Sequence, residues 1–249
     1  RWYKDGTLNL TESYNNSYGS GTAFNATLDS GNTTIGDNWS CGMMLSDFQY
    51  NSNWVNSSNI TIVANAVCNE TLTSSINLTQ SLDCTENGLI IGADDIILDC
   101  NGYSLWGNGT DYGVWLNNKS NVIIQNCNIS RFGTGIYIYN SSDSTILNNT
   151  VEDNNITGIY LTFSSVNNTI SNNSLYNNSL ELKLNDSNKT IIRYNEITGL
   201  NSSFYELNIT NSFNISIYGN VFSTKTRIFV DGNITWNTST GGNRWRAFD

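Results

Sequence analysis

Carboxylates are the side chains of this sequence whose types and spacing come nearest to a catalytic or metal-binding group. Four aspartates cluster early in the chain and two arginines, candidate proton-abstracting bases, follow later: Asp94, Asp95, Asp99, Asp111, Arg131 and Arg193. Paired carboxylates can hold calcium or act as acid and base. The chain has no histidine, the most common general base and metal ligand. Because the acids share no recurring position, we interpret them as solvated turn residues and expect no enzymatic activity and no resident cofactor, with bound calcium left open.

A row of aromatic residues is the second candidate site. Val114, Ile136 and Ile159 occupy matching apolar positions of three short segments, so the residues after them should point outward together. That outward row would contain Trp115, Tyr137, Tyr160 and Lys183, with Tyr139 beside it. Three interpretations fit: stacking that stabilises a sheet, an interface with a partner or second subunit, or a surface for sugar rings.

The elements that would position this row repeat every 22 to 25 residues or so. Each repeat contains a short segment that begins with an isoleucine. These isoleucines are Ile124, Ile146, Ile170, Ile192 and Ile217. The segments are short and alternate apolar with polar residues, which is typical of β-strands. Short strands at this period predict a parallel β-helix, whose equivalent residues stack in columns.

One polar position recurs inside these repeats. Cys127, Asn149, Asn173, Asn195 and Asn220 share a register. We predict an internal ladder of side-chain amides there, bonded from rung to rung.

Residues 82–116, LDCTENGLIIGADDIILDCNGYSLWGNGTDYGVWL, resemble the opening of right-handed parallel β-helix domains of archaeal and bacterial surface proteins, and also the periplasmic copper-binding family of nitrous-oxide maturation. The resemblance implies the fold but not the activity, because such domains include lyases, hydrolases, adhesins and scaffolds. Copper handling is not expected, because histidine is absent and Met43 and Met44 lie outside the repeats. We therefore predict an all-β chain with a right-handed parallel β-helix over residues 66–249.

Residues 1–65 do not repeat, and they resemble part of an immunoglobulin-like β-sandwich. Trp2 would be the core tryptophan and Cys41 the late core cysteine, with Trp39 where a tyrosine is usual. The partner cysteine would precede Trp2, so we expect a sandwich without its first strands. Either the chain is a fragment, or a neighbouring subunit donates strands. The alternative is a simple cap of the solenoid.

The five cysteines fit an oxidising compartment. Cys68 and Cys84 are predicted to form a disulfide at the start of the β-helix. Cys100 and Cys127 fall on neighbouring rungs, as a second disulfide or as buried thiols. Cys41 is left without a partner.

Glycosylation is indicated by about 25 Asn-x-Ser/Thr sequons, although an Asn-rich composition would also produce many of them. A formal net charge of -10 disfavours nucleic acid, and no apolar run is long enough to span a membrane. The sequons selected as N-glycan sites are Asn25, Asn32, Asn56, Asn69, Asn77, Asn108, Asn118, Asn140, Asn148, Asn155, Asn172, Asn185, Asn208, Asn214, Asn233 and Asn237.

Together these features predict an extracellular or cell-surface glycoprotein, archaeal by resemblance, that forms a filament or surface layer. Its partners would be copies of itself, with strand donation into residues 1–65 as one mode of assembly. The alternative hypothesis is a carbohydrate-binding or adhesive module that uses the aromatic row, and a polysaccharide lyase or hydrolase is the least favoured.

Overall fold

The computed structural model describes residues 1–14, 26–34, 37–46, 49–61, 66–199, 205–223, 227–236 and 241–246. The chain divides into two compact units, Arg1–Ala64 and Asn65–Asp249. The division falls one residue before the boundary expected from the sequence.

The described residues of the first unit contain a small antiparallel sheet and a short 3-10 helix, Ser30–Asn32. Its strands are β1 (Trp2–Lys4), β2 (Thr7–Leu10), β3 (Asn38–Met43), β4 (Val55–Asn56) and β5 (Ile60–Thr61). They pair in the order β2-β1-β3-β4, with β5 also on β3. These described strands form one sheet rather than the two of a sandwich, so the immunoglobulin-like assignment stays a prediction.

The buried tryptophan of the first unit is Trp39, which is 3% exposed, and not Trp2 as expected. Trp39 donates its indole N–H to Asp37 over 3.3 Å, and Lys4 forms an ion pair with the same carboxylate at 2.8 Å. Trp2 is only half-buried and bonds to Glu12 instead. The buried ring therefore lies where a polar partner satisfies its N–H group.

The second unit is a right-handed parallel β-helix, as predicted, built from three parallel sheets of eight strands. Sheet 1 contains β6 (Glu70–Leu72), β9 (Leu89–Ile91), β12 (Tyr112–Asn117), β15 (Thr134–Tyr139), β18 (Thr157–Thr162), β21 (Leu182–Asn185), β24 (Leu207–Thr210) and β27 (Ile228–Val230). Sheet 2 contains β7 (Ile76–Asn77), β10 (Ile97–Asp99), β13 (Ile123–Gln125), β16 (Thr145–Leu147), β19 (Thr169–Ser171), β22 (Ile191–Arg193), β25 (Ile215–Tyr218) and β28 (Ile234–Trp236). Sheet 3 contains β8 (Leu82–Asp83), β11 (Ser104–Trp106), β14 (Asn128–Ser130), β17 (Thr150–Glu152), β20 (Ser174–Tyr176), β23 (Glu196–Thr198), β26 (Val221–Ser223) and β29 (Arg244–Arg246).

The core of the β-helix consists of stacked apolar columns, one for each predicted register. Ile124 pairs with Ile146, and the column continues through Ile170 to Ile217. A second column runs from Ile129 to Phe222 and a third from Val114 to Leu207, all fully buried. Alternation along each short strand therefore places one residue in the core and the next in solvent.

The predicted asparagine ladder is present in the turn between sheets 2 and 3. Each amide Nδ2 donates to the Oδ1 of the next rung, at 2.9 to 3.0 Å. The ladder extends one rung beyond the prediction, to Asn243. At its other end Cys127 donates its backbone N–H to Asn149. These bonds satisfy polar groups that the tight turn buries.

Two disulfides are present in the β-helix. Cys68 and Cys84 are bonded, with their Cα atoms 5.5 Å apart. Cys100 and Cys127 are bonded across neighbouring rungs, with their Cα atoms 4.7 Å apart. Among the described residues Cys41 is a free cysteine.

Candidate functional site

The outward residues of sheet 1 form a continuous aromatic row. Strand pairing places Trp115 beside Tyr137, and Tyr137 beside Tyr160. The next rung places Lys183 in the same row, with its Nζ atom 4.5 Å from the centre of the Tyr160 ring. The parallel register therefore brings together the four side chains that the alternation of the sequence selects.

Tyr137 is the centre of this surface. Its ring is stacked on Tyr112 with the centroids 4.6 Å apart. The Tyr139 and Tyr160 rings lie 6.3 and 5.4 Å away, both tilted. Edge and offset contacts of this kind stabilise aromatic pairs and hold the side chains in one arrangement. The result is a preformed aromatic surface, which we name the sheet 1 platform: Tyr112, Trp115, Tyr137, Tyr139 and Tyr160.

The polar groups of the platform are hydrogen-bond donors at neutral pH. Burial, helped by the neighbouring phenols, raises the pKa of Tyr137 to about 12, so its hydroxyl stays protonated. The indole Nε1 of Trp115 is buried and has no hydrogen-bond partner among the described residues. An aromatic face edged by neutral donors is suited to a ring that is apolar on one side and hydroxylated at its rim.

Of the carboxylates considered in the sequence, Asp94, Asp95 and Asp111 lie in turns and Asp99 ends β10. Asp94 accepts the backbone N–H of Ser120, and Asp95 accepts the side-chain amide of Asn121. Asp99 accepts two side-chain amides and one backbone N–H, and these bonds lower its pKa despite opposing burial. Asp111 accepts the hydroxyl of Thr110. No group of three or more metal-ligating side chains occurs in the described part of the chain.

Two glutamates are buried inside the β-helix. Glu181 is fully buried, and Asn178 donates both its backbone N–H and its side-chain amide to the carboxyl group. Glu206, on the next rung, accepts the backbone N–H of Arg227 through one oxygen, and its Oε1 has no partner among the described residues. Burial raises the pKa of Glu181 to about 8, with Glu206 as a further contributor. Glu181 is therefore largely protonated at neutral pH.

The predicted glycosylation positions mostly lie on the surface. Asn25 and Asn237 lie outside the described residues. Asn185 and Asn208 are half-buried on sheet 1, and the remaining twelve are exposed. Exposure makes these side chains accessible to a glycosylating enzyme but does not test whether they carry glycans, so their modification stays a prediction.

Sequence reasoning missed two aromatic residues at this surface. Tyr112 begins β12 two residues before the inward Val114, so strict alternation would have placed it on the inner face, whereas its ring stacks on the outward Tyr137 because the alternation breaks at Gly113. Phe163 follows the end of β18 and stacks on Tyr139 with the centroids 4.6 Å apart. Phe163 is in a turn, where strand alternation gives no signal.

The fold and the surface together define a parallel β-helix protein in which the outward face of one sheet carries an aromatic cluster. The family model described as periplasmic copper-binding protein (NosD) matches residues 58–249, and the chain belongs to that family. The family's periplasmic description agrees with a location outside the cytoplasm, as do the two disulfides. No helix in the described residues is long and apolar enough to cross a membrane.

The chain is similar to several solved structures. The A-module of mannuronan C-5 epimerase AlgE4 from Azotobacter vinelandii matches at a TM-score of 0.53 and 13% identity, covering 71% of this chain and 57% of the module. An alginate lyase from Paenibacillus sp. str. FPU-7 matches at 0.46 and 12% identity, covering 68% of this chain and 70% of that one. The Dettilon tailspike protein matches at a TM-score of 0.40 and 14% identity, covering 70% of this chain and 50% of that one. No curated protein matches the chain in sequence.

The similarity to the epimerase module contradicts the prediction that the chain is not an enzyme. The prediction depended on the absence of a recurring carboxylate position along the rungs. The epimerase module has the same fold and acts on a polysaccharide, so the β-helix is compatible with such chemistry. An active site needs only a few converging side chains, and these can come from turns and from different rungs without any repeated spacing.

Proposed function

We propose that this protein is a polysaccharide-recognising β-helix of the cell envelope, and that the sheet 1 platform binds the sugar chain. The observation that carries the proposal is that three aromatic rings contact Tyr137 on one outward face, and that Trp115 contacts one of them, Tyr112. Sugar rings present apolar C–H faces and hydroxyl rims, which match aromatic faces and the donors beside them.

Sheet stabilisation is the competing explanation of the platform, because stacked outward rings also strengthen cross-strand pairing. One feature favours recognition. The rings also contact each other along single strands, Tyr112 with Trp115 and Tyr137 with Tyr139, and such contacts do not strengthen cross-strand pairing.

Affinity gel electrophoresis tests the proposal. The protein is run through gels containing alginate, polymannuronate or a neutral β-glucan, and retardation measures binding. Tyr137→Ala should abolish retardation in the gel that retards the wild type, whereas Tyr218→Ala, which removes an outward tyrosine of sheet 2, should not. Assay of the same polysaccharides for released or epimerised sugars reports any turnover. Equal mobility of the wild type in all gels contradicts the proposal.

A copper site, which the family description suggests, does not fit the residues present. The chain contains no histidine, and four of its five cysteines are in disulfides. The remaining soft donors, Cys41, Met43 and Met44, lie outside residues 58–249, which match the family. Imidazole and thiolate ligands are those that copper prefers. The proposed function therefore involves no copper chemistry.

Self-association into a filament is a second proposal, which comes from the sequence, and the comparisons give it no support. The predicted N-linked glycans, bound calcium and archaeal origin are likewise untested. Light scattering of the purified protein over a range of concentrations tests assembly: a mass that rises with concentration would support it, and a constant monomer mass would contradict it.

A further inference from the structure

The turn between sheets 1 and 2 has the same number of residues with positive φ after the strand on neighbouring rungs, and the turn that contains Phe163 differs. On neighbouring rungs one residue with positive φ follows the strand of sheet 1: Asn118, Asn140, Asp186 and Asn211. Asn and Asp tolerate this left-handed conformation better than other residues with a side chain. On the rung of β18 two residues occupy that place, Phe163 and Ser164, with φ angles of 57° and 59°. This turn therefore contains one additional residue.

Phe163 is costly for the fold in two ways. A bulky aromatic residue is strained at positive φ, and strain of this kind concentrates at functional sites. The side chain is also 60% exposed, so burial returns little stabilisation. Neighbouring rungs close the same turn without an aromatic residue, so the solenoid does not require one. A role outside folding explains why the chain keeps it.

Phe163 is positioned to extend the sheet 1 platform. Its ring is stacked on Tyr139 at 4.6 Å, and Tyr139 lies 6.3 Å from Tyr137, which is stacked on Tyr112 at 4.6 Å. Tyr112 begins its strand, Tyr137 and Tyr139 lie in the middle and at the end of the next, and Phe163 follows the end of the third. The four rings therefore form a diagonal across three neighbouring strands, β12, β15 and β18.

We propose that the ligand of this surface is a linear polysaccharide that crosses sheet 1 along this diagonal, with Phe163 as its terminal contact. The inference rests on the proposed function and adds the direction and extent of the bound chain. The axial row from Trp115 to Lys183 gives a different direction, along the solenoid. Because the diagonal spans four rings, a chain of several sugar units is the ligand, and a single sugar reaches only part of the surface.

Matched glycine variants separate a binding role from a folding role. Phe163→Gly removes the terminal ring, and glycine adopts positive φ without strain. Tyr194→Gly is the control, because Tyr194 is also an exposed aromatic residue at positive φ, 56°, but follows β22 of sheet 2. Both variants should unfold at or above the wild-type midpoint. Only Phe163→Gly should weaken binding of oligosaccharides from whichever of alginate, polymannuronate or β-glucan retards the wild type, by about tenfold.

Lys183→Ala tests the direction of the chain. The diagonal predicts wild-type affinity for this variant, whereas an axial chain predicts a loss. Wild-type affinity in Phe163→Gly, with Tyr137→Ala defective, would overturn the diagonal and leave the proposed function intact. Absence of wild-type binding to all three polysaccharides would overturn both.

Discussion

Glu181 is the residue whose environment departs furthest from what its type would suggest. The residues before the inward Ile136 and Ile159 are Gly135 and Gly158, and the same position on the next two rungs holds Glu181 and Glu206. A buried carboxyl group is less costly when it is protonated, because a neutral group loses less hydration than an anion. Burial accordingly raises the Glu181 pKa to about 8, from an ordinary value of 4.5.

This shift predicts that stability falls as the pH rises. Between about pH 4.5 and 8 the folded protein retains the Glu181 proton, which the unfolded chain releases, so unfolding becomes easier with increasing pH. The loss should be on the order of a few kcal/mol across that window. Glu181→Gln should remove this slope and be the more stable protein at pH 8. Urea unfolding at several pH values measures the effect, and an equal slope in both proteins would show that Glu181 is ionised in the folded state.

At the scale of the elements, the asparagine ladder accounts for how a polar turn is buried on successive rungs. The Asn173 amide donates to the Ile146 carbonyl at 2.9 Å and to the Asn195 side chain at 3.0 Å, while its Oδ1 accepts two bonds from Asn149. Each bond contributes modestly, but a buried group without its partner is expensive. The ladder therefore couples the stability of neighbouring rungs.

Asn173→Ala should lower the free energy of unfolding by about 2–4 kcal/mol, because it leaves buried donors and a carbonyl without partners. Asn172→Gly is the matched control: Asn172 is exposed, has positive φ and precedes the ladder residue. That change should alter stability by less than about 1 kcal/mol. Denaturant unfolding compares the two variants, and equal effects would mean that the ladder bonds add nothing to stability.

The strands and their registers were predictable from the sequence, because alternation and period specify both the inward face and the stacking partner. The outward positions of Trp115, Tyr137 and Tyr160 follow from the same rule. The rule applies only within strands, so it could not place Phe163, which is an additional turn residue. The rule also gave no reason to expect that the Glu181 side chain is buried, because acidic side chains are rarely fully buried. The additional ladder residue, Asn243, lies beyond the clear repeats.

At the scale of the whole molecule, the family description and the donor set disagree about copper. We predict that copper ions leave the unfolding midpoint of the β-helix unchanged, because residues 58–249 contain no histidine and their four cysteines form two disulfides. Thermal unfolding with and without cuprous or cupric ions measures this. A copper-dependent rise of the midpoint that persists in Cys41→Ser would place a metal site in the β-helix and contradict the prediction.

The fold of the molecule does not decide its activity, but the aromatic residues on the outward face of sheet 1 support the claim that the sheet 1 platform binds a sugar chain. Isothermal titration with an oligosaccharide series from the polysaccharide that retards the protein is the most direct test of that claim. The account predicts saturable binding that strengthens with chain length, and at least a tenfold loss in Tyr137→Ala at an unchanged unfolding midpoint. Equal affinity of the wild type and Tyr137→Ala would contradict it, because the sugar would then bind elsewhere than on the sheet 1 platform.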